Sequence, residues 1–310
     1  MLQTITLTGL AIEALVLSAL AFALRGHGAT WGLALMLCLV IALVWRLGAC
    51  LLSAMVAGAL RRLAGRAQPF GNSLKAFLVE LRAKFLSFTF LQPFQSLFMG
   101  AEPKNVNPSA PPIVLLHGYV SNRGIWWWFR KRLLRAKPDA VIYSLTVEPV
   151  FGSIEACAAH FAMQLSAIQS RHNGQPITLI VHSMGGLMAR VYLRQCANTA
   201  HAHGLGKLIC LGTPHAGTQF GRFGVGACAR EMRYKSPYLS SLQAFEATQS
   251  LSLPISCIYT LNDDLVYPAQ SGALDLRGVT PPVENIAVSG VGHVSLLFSD
   301  DVVGLVVGRL

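Results

Sequence analysis

Hydrophobic positions along this chain follow two different rhythms, and the change between them falls near residue 112. Ahead of it lie two long apolar runs, residues 4–24 and 31–60, each carrying a single charge, Glu13 and Arg46. Each run is long enough to cross about 30 Å of hydrocarbon as a helix rising 1.5 Å per residue. The connecting RGHGAT is short enough to make the two a hairpin. A secretory signal is the alternative for the first run, but no Lys or Arg precedes it and no clean small-x-small site comes after it. Opposite charges inside apolar segments pair, snorkel or relay protons, and pairing or snorkelling is the simpler reading of Glu13 and Arg46. Residues 72–99 form an amphipathic stretch rich in Phe and Leu, which suits either a membrane interface or a cap over the next domain. The Pro- and Asn-rich AEPKNVNPSAPP, residues 101–112, reads as a linker.

Beyond the linker the apolar runs shorten and alternate with helix-like segments. The strand-like runs are IVLLHG (113–118), AVIYSL (140–145), ITLIVHS (177–183), KLICLGTP (207–214), ISCIYTL (255–261) and ENIAVSGVGH (284–293). Continuous apolar runs bounded by Gly and Pro mark strands buried on both faces, so the pattern predicts an α/β domain with a parallel sheet and crossover helices. The expected organisation is a two-helix membrane anchor over 1–66, an amphipathic helix and linker over 67–112, and a catalytic domain over 113–310.

Composition sharpens the first half of that picture. The chain of 310 residues is 53% hydrophobic with a mean hydropathy of +0.49, and only 13% of it is charged, about half the usual share for a soluble domain. Of the formal net charge of +11, residues 1–85 hold eight Lys and Arg against two Glu. A basic balance weighted toward the apolar end suits an anionic lipid surface. No recognition motif or aromatic-interleaved basic patch supports nucleic acid as a partner. Arg61, Arg62, Arg66, Lys75, Arg82 and Lys84 come after the second run, whereas the hairpin loop offers only Arg25. The excess of positive charge places both termini, and the catalytic domain, on the cytoplasmic side of the inner membrane. Seven Cys without a CxxC, two of them (Cys210 and Cys257) inside strand-like runs, read as buried reduced thiols, with a Cys196–Cys228 disulfide left open.

The chemistry begins at ITLIVHSMGGLMARVYL, where a strand meets a helix through His182-Ser183-Met184-Gly185-Gly186. A serine on such a turn is held in strained backbone with its hydroxyl exposed at the top of the sheet. Serine as a plain N-cap is the bland alternative. The run departs from G-x-S-x-G, because Val181 stands at the first Gly. The Met184 N–H, at the helix start, is placed to hold an oxyanion, and the loop His117-Gly118-Tyr119 after the first strand offers the Tyr119 N–H as a second donor. His117 itself reads as a structural loop residue. A serine hydroxyl needs a base, and the base an orienting carboxylate. Asp263 and Asp264 come after one strand and His293 after the next; His201, His203 and His215 all precede the acids, so chain order singles out His293.

These pieces resemble the bacterial lipases and esterases of the α/β-hydrolase superfamily, close to the triacylglycerol-lipase-like group. The resemblance rests on LLHGY (115–119), HSMGG (182–186), LGTPHAGT (211–218), DDLVYP (263–268) and GVGHVSL (290–296), in the family's order. It implies the α/β-hydrolase fold and a Ser183–His293–Asp263 triad working through an acyl-enzyme. Asp263 fits the family's D-x-x-V-x-P register, and Asp264 is the second choice. It also implies that His215 and Gly217 shape the pocket. No cofactor is expected, and no Asp/His cluster maps onto the structural metal some lipases carry. The expected substrate is a lipid or other hydrophobic ester; an acyltransferase or thioesterase using the same triad is the alternative, and a non-enzymatic membrane scaffold a distant third. Trp126-Trp127-Trp128-Phe129 reads as the core of the first domain helix rather than an acyl-binding lid. His160, His172, His182, His201 and His203 read as surface or structural residues.

Overall fold

The computed structural model describes every residue except Met1, Lys104, Asn105, Ala200, His201, Ala202 and Arg277, and describes Asn198 and Thr199 by backbone alone. Expectations for His201 lie outside the described residues. Helices α1 (Leu2–Gly26) and α2 (Trp31–Leu63) form the hairpin. Thr30 starts α2 by accepting the Leu33 N–H, and Arg61 and Arg62 close its last turn, where cations complement the helix dipole. Small residues let the two helices touch: Ala21, Ala34 and Cys38 are buried between them, with Leu17, Leu20 and Leu24 alongside. Glu13 and Arg46 pair bidentately at 2.5 and 2.6 Å. The outward side chains stay bare, Leu15 at 70%, Leu39 at 71% and Trp45 at 75% exposure.

Helix α3 (Phe70–Leu86) folds back along α2 and runs through a single π-helical turn, Ser87–Leu91, toward the short α4 (Gln95–Met99). Ala76, Glu80 and Ala83 of α3 are buried at helical spacing against the domain, while Phe70, Leu74, Leu78 and Phe85 remain exposed. The segment left open between cap and interface therefore caps the domain with one face and presents apolar side chains with the other.

All six expected strands form. They are β1 (Ile113–Leu116), β2 (Ile142–Leu145), β3 (Ile177–His182), β4 (Leu205–Leu211), β6 (Ile255–Thr260) and β8 (Glu284–Val288), wholly parallel in the order β2-β1-β3-β4-β6-β8. The two-residue β5 (Leu251–Ser252) and β7 (Val279–Thr280) pair apart from this sheet. Alternate side chains serve opposite layers. Val114, Leu116, Leu179 and Val181 meet α6 (Ile154–Arg171) and α7 (Met184–Thr199) through Phe161, Leu165 and Leu187. Ile113, Leu115, Ile180 and Ile209 meet α5 (Trp127–Ala136) and α10 (Asp300–Val307) through Phe129, Leu133 and Val306. Two covered faces explain why β1, β2, β3, β4 and β6 read as apolar runs, whereas β8 at the edge stays largely exposed. Helices α8 (Ala227–Glu231) and α9 (Pro237–Glu246) sit in the long excursion between β4 and β6.

Trp126 is fully buried beside Phe129, and Trp127 and Trp128 pack on Phe98 and Phe298, so the aromatic run is core. No disulfide forms among the described residues: the Cys228 thiol sits buried by the Val150 carbonyl at 3.7 Å, and Cys196 is half-buried on α7.

Candidate active site

Strand order turns back at β1, which lies between β2 and β3, and ligands of open α/β sheets bind beyond the carboxyl ends at such a point. Two residues there hold left-handed backbone without being glycine: Val120 at φ 46° after β1 and Ser183 at φ 55° after β3. Strained conformations of this kind persist where the surrounding structure over-determines them. Two glycines make the turn possible. A Cβ on Gly118 would stand 2.7 Å from the Ser183 Cβ and 3.2 Å from the Met184 nitrogen, and one on Gly185 would stand 2.8 Å from the Leu116 and His117 carbonyl oxygens. Val181, at the place of the first Gly, points into the fully buried layer under α7, and Gly185 leaves it room.

Ser183, His293, Tyr119 and Val120 line one cavity of about 290 Å³, walled by Phe88, Phe220 and other apolar side chains. Among the described residues the N–H groups of Tyr119 and Met184 have no acceptor within the protein, as donors awaiting a ligand oxygen would. The Tyr119 hydroxyl accepts from the Val225 N–H and donates to the Val225 carbonyl, both at 2.8 Å, tying this loop to the far wall.

The His293 Nδ1–H donates to the Asp263 carboxylate at 2.9 Å, and both side chains are buried. The other Asp263 oxygen accepts the N–H groups of Leu265 and Val266 at 2.9 and 2.6 Å. That local turn is the physical content of the D-x-x-V register. Burial disfavours the His293 cation, but the charge and hydrogen bond of Asp263, with Glu80 and Asp264 behind, outweigh it and raise the pKa above the ordinary histidine value. No hydrogen bond joins the Ser183 hydroxyl to His293 here; such contacts tighten when substrate arrives. Asp264 faces away, toward Lys84 and the Ser53 hydroxyl at 2.8 Å. Burial pushes its pKa up, and the Lys84 ammonium more than reverses this, holding the carboxyl below its usual range.

Sequence reasoning missed the support behind these loops. Glu80 of α3, 3% exposed, accepts the N–H groups of Val294 and Ser295 at 3.0 and 2.8 Å, immediately after His293. Burial, then the neighbouring Asp264, raises its pKa despite Lys84 3.5 Å away. Arg61 of α2 donates to the Asp263 carbonyl at 2.9 Å, and Tyr267 donates to the Leu60 carbonyl at 2.8 Å. A lone Glu at the centre of an apolar helix face was the available signal.

Six further histidines among the described residues hold structure. His117 Nε2 accepts the Val147 N–H at 2.9 Å, and burial lowers its pKa to about 4. His182 stacks 4.7 Å from the His293 ring and bonds its carbonyl at 3.1 Å; burial, then the His293 charge, keeps it neutral. His172 is buried against Tyr143 and the Ala110 carbonyl, His160 bonds the Glu148 backbone, and His203 receives the Leu205 N–H. His215 does not face the cavity; Pro214 and Thr218 of its segment do. The His215 ring lies against the Cys257 thiol at 3.3 Å. With Cys210 these form, among the described residues, one buried cluster of metal-type donors. Its hydrogen bond to Cys210 and its burial push the Cys257 thiol well up, opposing the thiolate a metal would take.

The model of the palmitoyl protein thioesterase family matches residues 112–251, a span that contains the Ser183 turn. Triacylglycerol lipase 2 of Saccharomyces cerevisiae is 30% identical over 140 residues, which are 44% of this chain and 38% of the yeast protein. The chain thus spans less than two-fifths of that curated relative. Among solved structures, Aspergillus fumigatus lipase B aligns at a TM-score of 0.55 and 16% identity over 67% of this chain and 54% of its own. The propeptide form of Bacillus licheniformis lipase BlEst2 aligns at 0.52 and 16%, over 67% and 52%. At these identities the structures speak for the fold, which is that of the α/β-hydrolases, and the two sequence matches show similarity to thioesterases and lipases over less than half of the chain.

Proposed function

We propose that the protein is a membrane-anchored serine hydrolase that cleaves carboxylic, lipid-like acyl esters. The observation that carries the reading is the left-handed Ser183 sharing one apolar-walled cavity with a buried histidine that Asp263 orients. Ser183 attacks the acyl carbon while His293 Nε2 takes its proton, and the negative charge on the former carbonyl oxygen meets the N–H groups of Met184 and Tyr119. Collapse returns the proton to the leaving alcohol and leaves an acyl-enzyme; water, deprotonated by the same histidine, releases the acid. Asp263 fixes the ring and offsets the charge it gains.

Residues 1–66 are the anchor in this reading. Both helices are long and apolar enough to span, and their side chains face outward rather than into a core. The Arg61 to Lys84 cluster keeps the domain over 113–310 on the cytoplasmic side, with 67–112 joining the two. A second reading, an acyl-thioester hydrolase, is favoured by the thioesterase family match.

Fluorophosphonate labelling of the full chain, together with rates on a chain-length series of p-nitrophenyl esters and matched thioesters, tests both. Labelling and ester turnover that vanish in Ser183→Ala support the proposal. Turnover of thioesters alone would transfer it to the second reading, and labelling that survives the substitution would end it.

A further inference from the structure

The largest cavity described is not the one over Ser183. About 480 Å³ lies between α2 and α3, behind the acid and base loops. Its walls are apolar, and α2 turns small residues toward it: Ala54, Gly58 and Ala59, opposite Leu74 and Phe77 of α3. Arg61 and Arg62 line it, as do Glu80 and Asp264. Arg61 is only 8% exposed, yet among the described residues it makes no ion pair, and its side chain's sole hydrogen bond goes to the Asp263 carbonyl. The nearby carboxylates have other partners: Asp263 has His293, the Asp264 Oδ2 has Lys84 and Ser53, and Glu80 has two backbone N–H groups and Lys84, while the Asp264 Oδ1 is buried without a partner among the described residues. A guanidinium does not shed its proton, and the charges of Asp263 and Asp264 favour it without pairing with it, which leaves its fork open to an anion. Its planar fork matches a phosphate.

We propose that this cleft binds one anionic phospholipid, at a site separate from the catalytic cavity. The phosphate sits on Arg61 and Arg62, and an acyl chain lies along Ala54, Gly58 and Leu74. The volume falls within the range of small-molecule sites, and basic pockets beside spanning helices on the cytoplasmic side recognise anionic headgroups. The inference rests on the reading of the hairpin as a membrane anchor. Because the same guanidinium holds the Asp263 backbone, an occupied cleft steadies the acid loop from behind.

The test uses the full chain in nanodiscs of mixed phosphatidylglycerol and phosphatidylcholine, released into the gas phase for intact-complex mass spectrometry. One retained phosphatidylglycerol is expected. Gly58→Leu fills the cleft with a better helix former, and a Cβ there meets only the Arg61 Nη2, at 4.0 Å. It should keep its melting temperature and lose retention by about tenfold; Arg61→Gln, which also gives up the bond to the Asp263 carbonyl, should lose retention by a similar factor, such losses corresponding to a single strong contact. Lys131→Gln, on α5, should retain lipid normally. Equal retention of phosphatidylcholine, undiminished retention in Gly58→Leu, or a co-purifying fatty acid instead overturns the site. Carbonate extraction of membranes is run alongside. A chain that resists carbonate but shows no lipid preference defeats the site alone, and a chain that carbonate releases defeats the anchor and the site together.

Discussion

Asp263 and Asp264 are neighbours, buried alike at 2% and 3% exposure, and they serve opposite halves of the molecule. The catalytic half gives Asp263 a histidine; the supporting half, built by α2 and α3, gives Asp264 a lysine and a serine. The partners set the roles. An imidazole can accept and return a proton near neutral pH, so Asp263 can assist a reaction. An ammonium held by two carboxylates keeps its proton, so Asp264 can only hold parts together. On the proposed mechanism the two differ neither in burial nor in charge but in whether the partner can titrate.

The hardest test of the catalytic half is Ser183→Ala, expected to lower kcat by roughly 10⁴–10⁶ with the fold retained, because triad members act as a unit. His293→Ala should fall by a similar factor. Stopped assays on purified protein, with melting curves as a check on folding, read both; residual turnover of several per cent in either breaks the assignment.

Asp263→Asn should lower kcat by about 10²–10⁴, whereas Asp264→Asn should cost less than about tenfold and register chiefly in stability. Removing one partner of a buried ion pair destabilises by about 3–5 kcal/mol, and the retained amide and the Glu80 contact to Lys84 soften that here. Paired kinetics and urea melts separate the two effects. If Asp264→Asn is the slower enzyme, the two halves have been assigned the wrong way round.

Glu80→Ala sharpens the comparison from the side of α3. It strands two buried N–H donors beside His293, at about 1–3 kcal/mol each, and should lower the melting temperature. Glu80→Gln keeps one acceptor and should recover part of the loss. A chain beginning at Pro103 lacks Arg61, Glu80 and Lys84 together, and should be less stable and less active than the full chain even where it is soluble.

The smallest effect expected is a shift in pH. His293 must be neutral to take the Ser183 proton, and its pKa is raised, so kcat/KM should fall as pH drops through a value above the ordinary 6.5 or so. The sign for stability is opposite: a raised folded pKa contributes fully below the unfolded value and is lost as pH rises through the folded one. In Asp263→Asn the acid limb should move to lower pH, because the charge that raised it has gone. A pH–rate profile on a soluble ester reads this.

How much of this was legible in the sequence depended on the range of the interaction. Five of the six strands could be read because burial on both faces writes itself as local apolar runs, β8 being a largely exposed edge, and the Ser183 turn because strand, Gly185 and helix are contiguous. That His293 meets Asp263 rather than Asp264 goes with a local turn, the second Asp263 oxygen being filled by N–H groups two and three residues on. Glu80, Lys84 and Arg61 could not, since they act on residues some 180 to 215 positions away. His215 was misjudged for the same reason: a motif places it near the cavity in sequence, while its ring turns toward Cys257 on a neighbouring strand.

The bidentate bond between Glu13 and Arg46 has a bearing on how the chain is made. A central carboxylate or guanidinium opposes insertion of a single helix by about 2.5–3.5 kcal/mol. If the hairpin is the anchor proposed above, Glu13 leaves the ribosome 33 residues before its partner, and α1 would reach the bilayer with that penalty uncompensated. The two charges cancel only once α2 has emerged and turned back. On that reading the hairpin would partition into lipid as a pair, and Glu13→Leu should free the first helix to insert without its second.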